Sequence, residues 1–110
     1  MKNIGKNTPV VDGEQAIVKK GGFAWVENGV HATVEKGGHA KVLNGGSVWV
    51  LSGGRADVLD GGEAWVLTGG FAYIDEGGSG IVFSRGFSYT HNGATIHALP
   101  GSIINGKVTK

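Results

Sequence analysis

The sequence predicts an all-β fold, a β-solenoid (β-helix) of eight-residue strand–turn units capped at both ends, and three observations predict it. The first is periodicity. From Gly21 to Glu76 the chain reads in consecutive blocks of eight, GGFAWVEN, GVHATVEK, GGHAKVLN, GGSVWVLS, GGRADVLD, GGEAWVLT and GGFAYIDE, with no insertion or deletion. A fixed short period of this kind decides the architecture before local propensity is weighed. The second is the pair Ala24/Val26, repeated as Ala40/Val42 and Ala64/Val66. Residues two apart share one face of a strand, so a uniform Ala-x-Val beside variable neighbours is a half-buried strand. The third is the glycine pair that opens most blocks. Glycine enters φ > 0 without steric cost, which a tight corner needs, whereas two glycines in every eight residues would cost a helix about 1 kcal/mol each.

Each block is therefore about five residues of strand and three of turn. The residues before the glycines, Asn28, Asn44, Ser52, Asp60 and Thr68, form turns readily through their short polar side chains. One such strand cannot stand alone. Burying a Val contributes roughly 1.5–3 kcal/mol, less than the cost of ordering eight residues. Stability has to come from stacking block on block, with backbone ladders running along the stack.

In chain order, residues 1–12 are a polar lead-in expected to cover the first open layer. Residues 13–84 are the regular body. Residues 85–110 carry degenerate blocks and the C-terminal cap. From Ser79 the inward positions change to Gly80/Val82, Ser88/Thr90, Ile96/Ala98 and Ile104/Gly106, so the cross-section is expected to alter there, and Pro100 to mark a break. Decay at both ends suits a stack whose terminal units close it.

Two coil sizes fit eight-residue blocks. Sixteen residues per turn gives a flat, two-sided solenoid of about six layers, and twenty-four gives a three-sided one of about four. The larger turn is the reading adopted, because it aligns Trp25, Trp49, Tyr73 and His97, with Phe23 and Phe71 beside them, and gathers His31, Thr33, Arg55, Asp57 and Ser79 on a polar side. Three intertwined chains, each supplying one strand per layer, are a third arrangement. Leu43, Leu51, Leu59 and Leu67, each seventh in its block, are expected to turn inward and fill the core.

Composition narrows the function. The chain has 110 residues, one domain's worth, and its 22 glycines are accounted for mostly by the repeat rather than by disorder. A net charge of +1 with scattered basic residues does not favour sequence-independent nucleic-acid binding. No run of eighteen apolar residues offers a membrane span. The absence of cysteine excludes disulfides and thiolate metal sites. The N-terminal stretch MKNIGKNTPVVDGEQ has no apolar signal region, which predicts a cytoplasmic or virion-associated chain.

The blocks GGHAKVLN and GGRADVLD resemble the AIDA-type repeats of autotransporter adhesins, over roughly residues 21–76. That resemblance implies a long β-solenoid displayed on a bacterial surface, although this chain keeps a uniform octad where those families use a longer compound unit. The period, Gly and Val content and size also resemble, less closely, the octapeptide-repeat triple-stranded β-helices of phage tail spikes. That family implies a rigid trimeric needle without chemistry of its own.

The candidate binding residues are the outward aromatics Phe23, Trp25, Trp49, Trp65, Phe71, Tyr73, Phe87 and Tyr89. Exposed apolar patches of several hundred Å2 usually mark an interaction site. The candidate partners are a second copy of the chain (dimer or trimer), another protein, or a glycan stacked on the rings. Against these stands a structural role, in which stacked aromatics support one another at about 0.2–1 kcal/mol per cross-strand pair. His31, His39, His91 and His97 show no metal-ligand spacing, so neither metal nor cofactor is expected. Thr33, Thr68, Thr90 and Thr95 form no T-x-T ladder of the kind that binds ice. Catalysis needs a concave, desolvated cluster of tuned groups, and a convex stack of short strands without an inserted loop offers none. The expected function is therefore a non-catalytic structural or interaction module within a phage-tail, spike or adhesin-like assembly. The alternative is glycan or protein binding by the aromatic face.

Overall fold

The computed structural model describes residues 2–4, 15–91, 93–105 and 107–108. Of the N-terminal lead-in only Lys2–Ile4 is described, and it pairs in parallel with Ala16–Val18, covering the edge of the first layer as expected; the rest of the lead-in lies outside the described residues. The strands in chain order are β1 (Lys2–Ile4), β2 (Gln15–Val18), β3 (Phe23–Val26), β4 (His31–Val34), β5 (His39–Val42), β6 (Ser47–Val50), β7 (Arg55–Val58), β8 (Glu63–Val66), β9 (Phe71–Ile74), β10 (Ser79–Val82), β11 (Phe87–Thr90), β12 (Thr95–Ala98), β13 (Ile103–Ile104) and β14 (Lys107–Val108). They form two seven-stranded sheets. Sheet A runs β1-β2-β4-β6-β8-β10-β12, and sheet B runs β14-β13-β11-β9-β7-β5-β3. The chain is a β-solenoid of about six turns.

The coil is two-sided, which corrects the three-sided, twenty-four-residue turn expected from the sequence. Ala40 pairs with Ala56 and Ala56 with Ala72 in sheet B, while Val34 pairs with Val50 and Val50 with Val66 in sheet A. Every one of these steps is sixteen residues. The reason lies in side-chain size. A core of one Ala and one Val per strand is thin, and two sheets brought face to face fill it, whereas three would enclose a hollow prism. Interiors close-pack and leave few voids. Ala24, Ala40, Ala56, Ala64 and Ala72, with Val18, Val26, Val34, Val42, Val50, Val58 and Val66, are all fully buried.

The corners divide the work of each glycine pair. In Lys19–Gly22 the Gly22 N–H donates to Lys19 O at 2.7 Å, and only the third residue, Gly21, has positive φ (80°). That is the signature of a type II turn, which requires φ > 0 at its third position. The first glycines then form their own ladder up each edge, Gly21 N–H to Gly37 O, Gly37 to Gly53 and Gly53 to Gly69 on one side, and Gly29 to Gly45, Gly45 to Gly61 and Gly61 to Gly77 on the other. The second glycine is selected by close approach instead. A Cβ on Gly54 would lie 2.6 Å from the carbonyl oxygen of Val34 in the turn beneath. Among the described corners Val30, Ala94 and Ser102 replace the second glycine, and at the fully buried Val30 the turn changes: Asn28 as well as Gly29 takes positive φ (44° and 83°). Asn tolerates the left-handed region better than most residues.

Pro100 does not break the stack. It precedes Gly101 (φ 89°), and Ser102 N–H donates to Leu99 O at 3.0 Å. Pro is favoured at the second position of a type II turn because its ring presets φ. The cross-section does alter near the C-terminal end, where Ile96 is half-buried and Ala98 exposed. There β14 turns back antiparallel on β13 in sheet B.

Candidate interaction surfaces

The sixteen-residue coil sorts the eight outward aromatics onto two faces. Sheet A carries Trp49 and Trp65, and sheet B carries Phe23, Trp25, Phe71, Tyr73, Phe87 and Tyr89. The single column expected from Trp25 to Trp49, Tyr73 and His97 does not exist, because Trp49 and His97 belong to the opposite sheet from Trp25 and Tyr73. The expected polar side divides likewise, His31, Thr33 and Ser79 lying on sheet A and Arg55 and Asp57 on sheet B.

Along sheet B two outward columns run side by side, Phe23–His39–Arg55–Phe71–Phe87 and Trp25–Lys41–Asp57–Tyr73–Tyr89. Aromatic residues therefore occupy both ends of the face, with a charged band between them. The band is internally paired. His39 Nε2 lies 3.0 Å from Asp57 Oδ2, and Arg55 Nε lies 3.6 Å from Asp57 Oδ1. The ends join the band through ring contacts. Phe23 meets His39 edge-on with centroids 4.8 Å apart, and the Arg55 guanidinium lies 5.8 Å from the Phe71 centroid. Beyond Phe71, Tyr73 and Tyr89 lie 6.2 Å apart, and His91 adds a 3.4 Å contact to Asp75. A shallow cavity of about 320 Å3 opens over the band, lined by Lys41, Arg55, Asp57, Leu59, Tyr73 and Asp75.

Sheet A differs in kind. Its outward column Ile17–Thr33–Trp49–Trp65–Ile81–His97 carries no acid, Lys or Arg. At its middle the Trp49 and Trp65 indoles stack with centroids 4.9 Å apart and planes 22° from parallel. Hollows flank this ridge on both sides. One of about 190 Å3 is lined by Gln15, His31, Thr33 and Trp49 among others, and one of about 250 Å3 by Glu63, Ser79, Ile81, Thr95 and His97 among others. The small outward side chains at Thr33 and Ser79 leave this space.

The leucines extend the apolar surface rather than the core. Leu43, Leu51, Leu59 and Leu67 are half-buried and stand outside the core cluster, contrary to expectation. Each follows a strand at a corner, where the backbone N–H still donates to the turn beneath, as Leu51 does to Val34 O. The Ala-Val interior is filled without them. At sixteen-residue spacing Leu51 and Leu67 fall in line with Phe83 and Leu99 along one edge of sheet A. Ile17, Ile81, Phe83 and Leu99 are the surface residues that sequence reasoning missed, and the sixteen-residue register is the signal that finds them.

Of the eight aromatics, Trp25 and Trp49 are each 44% exposed, Tyr73 39%, Phe87 42% and Tyr89 49%. Phe23, Trp65 and Phe71 are half-buried against their neighbours. Among the described residues no group of three or more His, Cys, Asp or Glu is placed to hold a metal ion.

No protein-family model matches the chain, and no curated protein matches it. Among solved structures it is similar to the crystal structure of a TibC-catalysed, hyper-glycosylated fragment of TibA, with 25% identity, a TM-score of 0.47, and coverage of 93% of this chain and 48% of that one. The chain thus spans about half the length of that fragment.

Proposed function

We propose that this protein is a rigid, non-catalytic interaction module, a building block that works through its flat outer faces as part of a larger or oligomeric assembly. The observation that carries this reading is the exposure of five large aromatic side chains, Trp25, Trp49, Tyr73, Phe87 and Tyr89, on two outward sheet faces. Large exposed apolar side chains grouped on a scaffold cost solubility and, when contiguous, mark contact with a partner. The scaffold suits such a role. Its parallel ladders repeat every sixteen residues, so the outward columns hold fixed spacings of about 4.8 Å per strand. The same reading takes in an adhesin-like or phage-spike setting, where a stiff stack displays or joins other parts. Sedimentation velocity is the test. The expected mass exceeds the 11.3 kDa of one chain. A chain that stays monomeric at high concentration and captures no glycan or protein overturns the reading.

A second reading is supported by sheet B. Lys41, Arg55 and Asp57 lie between the ring platforms of Trp25 and Tyr73. Hydrogen-bonding groups between stacking surfaces suit an oligosaccharide lying along the sheet, with rings on the aromatics and hydroxyls on the charged band. Saturable quenching of Trp25 fluorescence by an oligosaccharide, abolished by Trp25→Ser, is the expected result. No quenching across a broad glycan panel ends this reading.

A further inference from the structure

The two faces differ in what interrupts them, and that difference points to a partner. On sheet B the aromatic groups are separated by Lys41, Arg55 and Asp57. On sheet A the indole ridge continues through Ile81 and along the edge through Leu51, Leu67 and Phe83, and Glu63 is the one charged side chain among the outward strand positions of β4, β6, β8, β10 and β12. We propose that the sheet A face is the surface on which two copies of this chain pack against each other, sheet on sheet, around the Trp49–Trp65 ridge. This rests on the reading of the protein as an interaction module and names the partner for one of its faces.

Four features favour a second copy over another occupant. The first is size. The molecule measures 37 × 25 × 16 Å, so its broad face matches the roughly 800 Å2 that each partner buries in a standard interface. The second is position. β6 is the fourth of seven strands in sheet A and β8 the fifth, which sets the indoles at the middle of the face. Residues that dominate binding cluster near the centre of an interface, and Trp is enriched among them. The third is shape. A central ridge with a hollow of about 190 Å3 on one side and about 250 Å3 on the other is self-complementary, since the ridge of one copy meets a hollow of the other. Shared surfaces of this kind are what two-fold dimers use. The fourth is charge. With Glu63 the one Asp, Glu, Lys or Arg side chain among these outward strand positions, the face brings little like-charge repulsion when it meets itself.

The test compares the faces in the whole chain. Wild type, Trp49→Ser with Trp65→Ser, and Tyr73→Ser with Tyr89→Ser are followed by sedimentation, with circular dichroism as the control for folding. The expected result is a wild-type dimer whose dissociation constant rises about a hundredfold or more when the two indoles are removed, and stays within a few-fold when the two tyrosines are removed. A dimer lost only with the tyrosines overturns the sheet A assignment but keeps the module self-associating. A wild type that sediments as a monomer overturns this inference, and sheet A then awaits a different occupant. Should removal of both indoles unfold the chain, covalent trapping decides. The sequence has no cysteine, so Thr33→Cys on sheet A and Lys41→Cys on sheet B each place one thiol. Mild oxidation is expected to cross-link the Thr33→Cys protein at least tenfold faster, and equal or reversed rates overturn the inference.

Discussion

Ile74 and Gly80 occupy one another's space. Ile74 stands where most other turns place a Val, Gly80 stands where most place an Ala or Val, and a Cβ on Gly80 would lie 2.5 Å from Ile74 Cδ1. The extra methylene on sheet B fills what the missing methyl on sheet A leaves. Ile74→Val is expected to cost about 0.5–1.5 kcal/mol through the cavity it opens, and Gly80→Ala about 1–3 kcal/mol through overpacking. The double variant is expected near wild-type stability. Urea denaturation of the four proteins measures the coupling, and simple additivity would refute the exchange.

Ser88 points into the core where most sheet B strands place Ala. It is 2% exposed and its hydroxyl has no hydrogen-bond partner among the described residues. An unsatisfied buried hydroxyl forfeits about 1–3 kcal/mol. Ser88→Ala is therefore expected to raise the midpoint of thermal unfolding, with no change in the circular dichroism spectrum. An unchanged or lower midpoint would show the hydroxyl to be satisfied in solution.

Arg85 holds the corner position that glycine fills in the turns from Gly21 to Gly77. Its φ is 64°, and its backbone continues the edge ladder, accepting from Gly69 N–H and donating to Gly101 O. The left-handed region costs an L-residue roughly 1–2 kcal/mol. Arg85→Gly is expected to stabilise the folded state by about 1 kcal/mol after the added freedom of the unfolded chain is counted. Chemical denaturation with an unchanged m-value checks this, and destabilisation would mean that the Arg85 side chain contributes more than its backbone strain removes.

The stacked indoles should be coupled within a single chain as well as between chains. A double-mutant cycle of Trp49→Ala and Trp65→Ala, read at a dilution that keeps the chain monomeric, is expected to give an interaction of about 0.5–1.5 kcal/mol. A value near zero would leave the ridge held by the backbone ladder alone.

Individual residues show how much of this was legible in the sequence. Ala40 and Val42 facing inward followed from their spacing, since alternation along a strand is local. That glycine would take positive φ at the corners followed from the repeated pair, though not which glycine of the pair would take it. The role of the second glycine did not, because the Val34 carbonyl that excludes a Cβ at Gly54 lies twenty residues back in the chain. The leucines at the seventh positions were misplaced for a related reason. Whether Leu51 fills the core or lies along an edge depends on how much room the Ala-Val interior leaves. Pro100 suggests a break on its own, but beside the left-handed Gly101 it completes a turn of the same kind as the other corners.

The sequence alone determined that the chain coils into short strands, that the paired Ala and Val face inward and where the corners fall, because each of these depends on neighbours within one block. It could not choose between two strands per turn and three, since both place Ala and Val inward equally well. Only the packing of one sheet on the other decided that, by closing the thin Ala-Val layer into a flat coil. The same decision sent Trp25 and Trp49 to opposite faces and brought Trp49 onto Trp65, which created the surface assigned here to a second copy.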